Sequence, residues 1–223
     1  MSTYLLINIL IILFPLILSF DKNLKFYRNV KYILASILIV SSAYIVWDII
    51  ATNRGDWAFS EQHLLGIYFY VLPLEEILFF ITVPYSCIFI YETIKFYINE
   101  KVYPIKKNIF LFPVISFIVL ALVFNKQAYT FTVLLYSAAF FLLGVLTNSK
   151  LLTSKIFWIS ILICFVPFFI VNYFLTSIPV VTYNDSAFSA IRVLTIPLED
   201  FLYSFSMVSL WILFYEFFRI KKE

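Results

Sequence analysis

Hydrophobic positions form seven long segments along this chain, separated by short stretches that carry most of the charged side chains. A transmembrane helix needs about 20 mostly apolar residues, and each segment comes close to that length or exceeds it. The segments are 3–20, 30–51, 65–94, 108–124, 129–147, 156–177 and 190–218. The pattern therefore predicts an all-α integral membrane protein with seven transmembrane helices.

The composition supports this class. Hydrophobic residues make up 63% of the 223 positions and aromatic residues 21%, and the mean hydropathy is +0.98. Soluble domains are about 45–50% apolar. Only 13% of the residues are charged, which is too few to cover a water-soluble surface. The composition excludes a soluble globular domain.

The charges between the segments predict the orientation. Basic residues are concentrated after the first, third, fifth and seventh segments, whereas the alternate loops hold few of them. Because cytoplasmic loops are rich in Lys and Arg, the N-terminus is expected outside and the C-terminus in the cytoplasm. The basic residues concerned are Lys22, Lys25, Arg28, Lys31, Lys95, Lys101, Lys106, Lys107, Lys150, Lys155, Arg219, Lys221 and Lys222.

The sequence offers little for metal or nucleotide chemistry. His63 is the single histidine, and Cys87 and Cys164 both lie in apolar segments, where packing is the simpler interpretation. A glycine-rich phosphate-binding motif is absent from the sequence. We expect no cofactor, no metal site and no nucleic-acid partner, with membrane lipid as the surroundings.

Two acidic pairs interrupt the apolar pattern. Pro73–Glu76 reads PLEE, and 124 residues further on Pro197–Asp200 reads PLED. At this offset seven of the twenty positions 73–92 are identical, and Asp48 corresponds to Asn172. The chain is therefore expected to contain an internal repeat. Its predicted units are a three-helix repeat at 1–100, a connecting transmembrane helix at 101–128 and a second three-helix repeat at 129–223.

The connecting helix determines how the two units are related. One crossing between them makes both units enter the membrane in the same direction, which gives a parallel repeat. The two acidic pairs are then expected at one depth, where they can face a common cavity.

Carboxyl groups inside a membrane span cost several kcal/mol unless they face a cavity or a partner, and they commonly mark functional sites. Pro73 and Pro197 are expected to kink their helices and make room beside the acids. A carboxyl group in an apolar pocket can keep its proton near neutral pH, so the chemistry expected is proton donation. The alternative is that protonated carboxyls only join helices by hydrogen bonds.

The members of each pair are expected to differ in role, because adjacent helical residues point about 100° apart. We expect Glu75 and Glu199, which are identical in the two units, to act directly. Glu76 and Asp200 are then expected to orient them or to relay protons.

Three further polar residues are candidates for substrate binding beside Pro73 and Pro197. Asp48 and Asn172 lie near the outer ends of the second and sixth segments, either supporting the acids or simply ending a helix. Arg192 is placed two helical turns before Glu199, where it either steers that acid or reaches the interface.

Two more acids, Glu92 and Glu216, lie about 24 Å beyond the acidic pairs on the expected helices. Lys95 and Arg219 are close to them in the sequence. Ion pairing at the cytoplasmic interface is therefore expected for these residues rather than catalysis.

The PLEE and PLED segments, together with VWD at 46–48, resemble the heterodimeric-type lycopene cyclases. That family occurs as two small bacterial subunits, as single-chain fusions and as the cyclase domain of fungal bifunctional carotenoid enzymes, and this chain resembles the fused form. The resemblance implies a flavin-free lycopene β-cyclase, an isomerase of carotenoid biosynthesis in the bacterial inner membrane. It would convert the ψ ends of lycopene, or of a related carotenoid in the bilayer, to β-ionone rings, giving γ-carotene and then β-carotene.

A proton-coupled membrane transporter is the competing interpretation, because paired intramembrane carboxylates on repeated helices also suit proton relays. Even within the cyclase interpretation, the sequence leaves open the number and type of rings, the substrate length, the carboxyl group that donates the proton, and the oligomeric state.

Overall fold

The computed structural model describes residues 2–220 and is built almost entirely from α-helices, so the predicted all-α class is confirmed. Short 3-10 turns at 26–29, 61–63 and 107–110 join some of the helices. The α-helices of the described residues are α1 (Thr3–Leu18), α2 (Val30–Arg54), α3 (Leu74–Tyr97), α4 (Leu111–Val123), α5 (Ala128–Thr147), α6 (Ser149–Leu152), α7 (Lys155–Ser177) and α8 (Leu198–Ile220).

Within residues 2–220, five helical segments are long and apolar enough to cross a membrane: α2 with its preceding turn, α3, α5, α7 and α8. Helices α1 and α4 are apolar but shorter. Large apolar side chains such as Phe14, Leu38, Phe112 and Val123 are exposed on the outside of the bundle. An outer surface of this kind suits lipid, which agrees with the membrane character expected from the composition.

Helices α3 and α8 lie at the centre of the bundle and contact each other. Helices α1 and α7 pack on α3, whereas α2 and α5 pack on α8, and α4 lies outside on α5. Helix α2 of the first half thus packs against α8 of the second half, and α7 of the second half packs against α3 of the first. These contacts join the two halves into one bundle.

Short strands cover the end of the bundle where α3 and α8 begin. Strand β1 (Trp57–Phe59) pairs antiparallel with β4 (Val181–Tyr183), and Ala58 lies opposite Thr182. Two small hairpins, β2 (Tyr68–Phe69) with β3 (Leu72–Pro73) and β5 (Arg192–Val193) with β6 (Ile196–Pro197), lead into α3 and α8. Each strand in the second half begins 124 residues after its counterpart, so these elements recur at the offset found in the sequence.

The segments 65–94 and 190–218 are not continuous helices, so this part of the prediction is wrong. Helices α3 and α8 begin only at Leu74 and Leu198. Pro73, with φ −65° and ψ 150°, lies just before the first turn of α3, and Pro197 ends the strand before α8. A helix start tolerates proline because its missing N–H needs no partner there.

The predicted proline kink beside the acids is therefore also wrong. The acidic pairs lie in the first turns of α3 and α8, where the helix dipole favours negative charge. Prolines do occur within helices among the described residues, at Pro15, Pro84 and Pro167.

Ion pairs join α3 and α8 at the opposite end of the bundle. Arg219 lies 2.7 Å from Glu92, and Lys95 lies 2.6 Å from Glu216. The expected ion pairing of these residues is confirmed. Each pair crosses between the two central helices, so together they hold the C-terminal ends of α3 and α8 side by side.

Replacing Glu92 by Gln is expected to destabilise the protein by about 1–3 kcal/mol, because it leaves the partly buried Arg219 without its charged partner. Thermal unfolding in detergent measures the change. Glu61→Gln, at an exposed position in the loop before β2, is the matched control and should unfold like the unmodified protein. Equal stability of the two variants would contradict this role for the ion pairs.

Candidate active site

A cavity of about 440 Å³ lies between α1, α3, α7 and α8. Its walls are mostly apolar side chains, among them Val83, Ile90, Phe168 and Met207. Its lining follows α3 from Glu76 to Ile90, about 21 Å at the helical rise per residue. The shape suits an elongated apolar molecule.

Three acidic side chains, Asp48, Glu76 and Asp200, line one end of this cavity. Asp48 comes from the last turns of α2, and the other two come from the first turns of α3 and α8. All three are buried, with at most 8% of each residue exposed. The fold therefore brings both halves of the chain together at a single acidic end.

Asp48 and Glu76 lie within hydrogen-bonding reach of each other. The indole Nε1 of Trp57 donates to Oδ1 of Asp48 at 2.7 Å. Oδ2 of Asp48 is buried and accepts no hydrogen bond from an N–H or O–H donor among residues 2–220. The Tyr4 hydroxyl donates to Oε2 of Glu76 at 2.5 Å. Two adjacent carboxyls in an apolar setting cannot both carry charge at low cost, so this pair is suited to keep a proton.

Asp200 has a different environment. The Tyr129 hydroxyl donates to Oδ1 at 2.5 Å, and the Tyr183 hydroxyl donates to Oδ2 at 3.0 Å. Burial, and then the nearby Asp200 carboxylate, raise the pKa of Tyr183 well above its usual value, so this loop tyrosine keeps its proton. Two hydroxyl donors thus satisfy both oxygens of Asp200.

Aromatic rings surround the acids. Trp57, Tyr129, Tyr183 and Tyr203 line the same end of the cavity, with ring centroids 5.1 Å apart for Trp57 and Tyr129. The face of an aromatic ring attracts a cation. This end of the cavity thus combines three buried carboxyl groups with aromatic faces that attract positive charge.

Glu75 and Glu199 lie beside the cavity rather than in its lining. Oε1 of Glu75 accepts hydrogen bonds from Ser2 Oγ and from Leu65 N, both at 2.6 Å. Oε1 of Glu199 accepts them from Thr130 Oγ1 at 2.6 Å and Ser189 N at 2.8 Å. In each half this glutamate ties the loop before the hairpin to the start of the central helix.

The protein-family model for lycopene cyclase matches residues 1–94 and 125–218, which together are most of the chain. The chain belongs to the lycopene cyclase family. The two matched regions are offset by 124 residues, as expected for a fused, two-repeat member of this family. Searches of curated proteins and of solved structures find no match.

The remaining residues predicted to bind substrate lie in three different settings. Asn172, like Asp48, lines the cavity, and its side-chain amide donates to the Phe168 carbonyl at 3.3 Å. Pro73 and Pro197 are buried directly before the acids. Arg192 lies on β5 and pairs with Asp185 at 2.9 Å, so its predicted place on the helix of Glu199 is wrong.

Several residues that contact the acids of the cavity are not evident from the sequence. Tyr4 and Tyr129 are the hydroxyl donors to Glu76 and Asp200, and they begin the first and fifth predicted segments. They are 125 residues apart, so a comparison at the 124-residue offset does not align them. Trp57 and Tyr183 lie on the short paired strands β1 and β4, which the hydropathy pattern does not predict, and each donates to one of the acids.

The polar side chains of the site do not form a metal centre. Within residues 2–220, no group of three or more His, Cys, Asp or Glu side chains is arranged to hold a metal ion. Cys87 and Cys164 are free, buried thiols in the cavity wall.

Proposed function

We propose that this family member is a lycopene β-cyclase, which closes the ψ ends of lycopene to β-ionone rings by acid catalysis without redox change. The products are γ-carotene and then β-carotene. The observation that carries the proposal is the position of three buried acids, ringed by aromatic side chains, at one end of an elongated apolar cavity. A long hydrocarbon fits such a cavity, and its end group meets the acids.

The reaction needs one proton in and one proton out for each ring. Protonation of the terminal double bond leaves a tertiary carbocation, and the next double bond of the chain attacks it to form the ring carbon–carbon bond. The positive charge then lies within the ring. Loss of a different proton restores a double bond, so the product is an isomer of the substrate and the electrons balance.

We assign proton donation to the Asp48–Glu76 pair, because two adjacent buried carboxyls at the cavity wall are suited to keep a proton. We assign stabilisation of the cation, and removal of the final proton, to the carboxylate form of Asp200, whose two oxygens accept hydrogen bonds from Tyr129 and Tyr183. The rings of Trp57 and Tyr203 add a face that attracts the cation.

This assignment exchanges the roles expected within each acidic pair. Glu75 and Glu199 bond to the loops and not to the cavity, so we propose that they position the starts of α3 and α8. Glu76 and Asp200 then act on the substrate.

We also propose that the chain crosses the bacterial inner membrane seven times as two parallel three-helix repeats, with its N-terminus outside. The loop charges support this orientation. The acids would then lie near the outer end of the bundle. Reporter enzymes fused to each terminus test the orientation, and a cytoplasmic N-terminus would contradict it.

Cyclisation in D₂O is expected to add one deuterium to the product for each ring formed, because the donated proton exchanges with water before the reaction. Membranes from a lycopene-accumulating host that expresses this chain are incubated in H₂O or D₂O. The pigments are then separated, and mass spectrometry measures the deuterium content of each product. Membranes that lack the chain are the control.

A ring product without deuterium would contradict protonation by an exchangeable acid. Lycopene left unchanged, together with proton-coupled movement of a solute in vesicles, would favour the transporter interpretation.

A further inference from the structure

The repeat provides two equivalent places in the bundle, and they are filled differently. In one of them lies the cavity between α1, α3, α7 and α8. In the other, between α2, α5 and α8, four aromatic side chains pack together: Tyr44, Trp47, Tyr136 and Tyr203, here called the aromatic plug.

The rings of the aromatic plug are in close contact. Tyr136 stacks on Trp47 with centroids 4.9 Å apart and lies 4.4 Å from Tyr44. Tyr203 lies 5.1 Å from Trp47 and 5.2 Å from Tyr44. The Tyr136 hydroxyl donates to the Ala43 carbonyl at 3.0 Å, which ties α5 to α2. This place is filled by protein.

The counterparts of three of the four plug residues line the cavity. At the 124-residue offset Tyr44 corresponds to Phe168, Trp47 to Val171 and Tyr203 to Phe79. All three counterparts are in the cavity wall. The step from Trp47 to Val171 removes most of a large side chain, so the same helical position fills space in one half and leaves it open in the other.

The cavity opens toward the surroundings of the bundle between α1 and α7. Leu10 on α1 and Ile170 and Phe174 on α7 line the cavity and are still 55%, 52% and 48% exposed. The outer surface around this mouth is apolar, as on α1 at Phe14 and Ile17. A hydrocarbon in the bilayer can therefore enter the cavity sideways, and the acids lie in the wall of the same cavity.

We propose that this chain has one cyclisation site, which takes one end of the carotenoid at a time through the mouth between α1 and α7. The proposal rests on the proposed function. When one end reaches the acids, the other end of the molecule lies toward the lipid, outside their reach. A second ring therefore requires the monocyclic product to leave, reverse and enter again.

The test uses purified full-length protein in lipid vesicles that hold lycopene in at least 100-fold molar excess. Monocyclic product is expected to accumulate to more than 10 times the amount of enzyme before any bicyclic product forms. Bicyclic product from the first turnovers, with monocyclic product never exceeding the enzyme, would overturn the single site. Vesicles that form no ring at all would overturn the proposed function and this inference with it.

Val171→Trp puts a tryptophan into the cavity at the position that corresponds to Trp47 of the aromatic plug. A single site predicts that the formation of monocyclic and bicyclic products falls together, by more than 10-fold. Val166→Trp, on the exposed outer face of the same helix, is the matched control and should cyclise like the unmodified protein. Monocyclic product at its normal rate in Val171→Trp would indicate a second site and overturn the proposal.

The Ile170→Trp variant repeats this test at the mouth if Val171→Trp does not fold, as judged by its thermal unfolding. Partial closure of the mouth is expected to slow both products by the same factor. Different factors for the first and second ring would overturn a common entrance.

Discussion

Replacing Asp200 by Asn is expected to lower the rate of cyclisation by about 10² to 10⁴-fold, the range that a positioned acid or base contributes. The substitution keeps the shape of the side chain but removes the charge that faces the carbocation. It also replaces one acceptor oxygen, so either Tyr129 or Tyr183 loses its partner. The rate of ring formation in vesicles, with pigments separated by chromatography, measures the effect.

Asp185→Asn is the matched control for this variant. Asp185 lies between β4 and β5, pairs with Arg192 and has 74% of its side chain exposed. It should cyclise like the unmodified protein. Thermal unfolding separates a loss of chemistry from a loss of fold, and a folded Asp200→Asn variant with normal activity would contradict the role assigned to this carboxylate.

Glu76→Gln is expected to have an effect of similar size for a different reason. The amide cannot donate an acidic proton to a double bond, and Asp48 loses the neighbouring carboxyl group. The Tyr4 hydroxyl can still donate to the amide oxygen, so the fold is expected to survive. Accumulation of lycopene in a producing host, without cyclic pigments, is the readout.

The neighbouring Glu75→Gln variant is the informative comparison. Its carboxylate accepts hydrogen bonds from Ser2 and Leu65 and does not line the cavity, and an amide oxygen can accept the same bonds. We expect at most about a 10-fold loss, consistent with a lost charge-assisted hydrogen bond. A larger loss in Glu75→Gln than in Glu76→Gln would restore the direct role to Glu75 and contradict our assignment.

The apolar character and the helical class followed from the sequence because both depend on local composition. Runs of apolar residues long enough to span lipid leave few alternatives to helices, since every backbone polar group needs a partner. The offset of 124 residues was also readable, and the strands, hairpins and central helices of the structure recur at that offset. The ion pairs of Glu92 and Glu216 followed from neighbouring opposite charges.

The starts of α3 and α8 were harder to predict. Apolar residues continue through 65–73 and 190–197, so hydropathy does not distinguish a hairpin from a helix there. Pro73 and Pro197 were the available signal, since proline fits before the first helical turn better than inside a helix. Placing them inside the helices led to the wrong expectation of a kink.

Which carboxyl of each acidic pair faces the cavity depended on the tertiary structure. Adjacent helical positions point about 100° apart, so one carboxyl of each pair must face away from the cavity, but the sequence does not say which one. Helix α2, the loop strands and the starts of α1 and α5 decide it by surrounding Glu76 and Asp200. Tyr4, Trp57, Tyr129 and Tyr183 come from four separate elements, so no local pattern brings them together.

The sequence by itself determined that this protein is a helical, lipid-adapted repeat with two matched acidic pairs, because composition and periodic identity are properties of the chain alone. Only the tertiary structure decided that Asp48 joins the acids, that Glu76 and Asp200 face the cavity, and that one of two equivalent places is open. The physical reason is packing. Whether a position such as 47 or 171 fills space or leaves it empty depends on the neighbours that the fold brings to it.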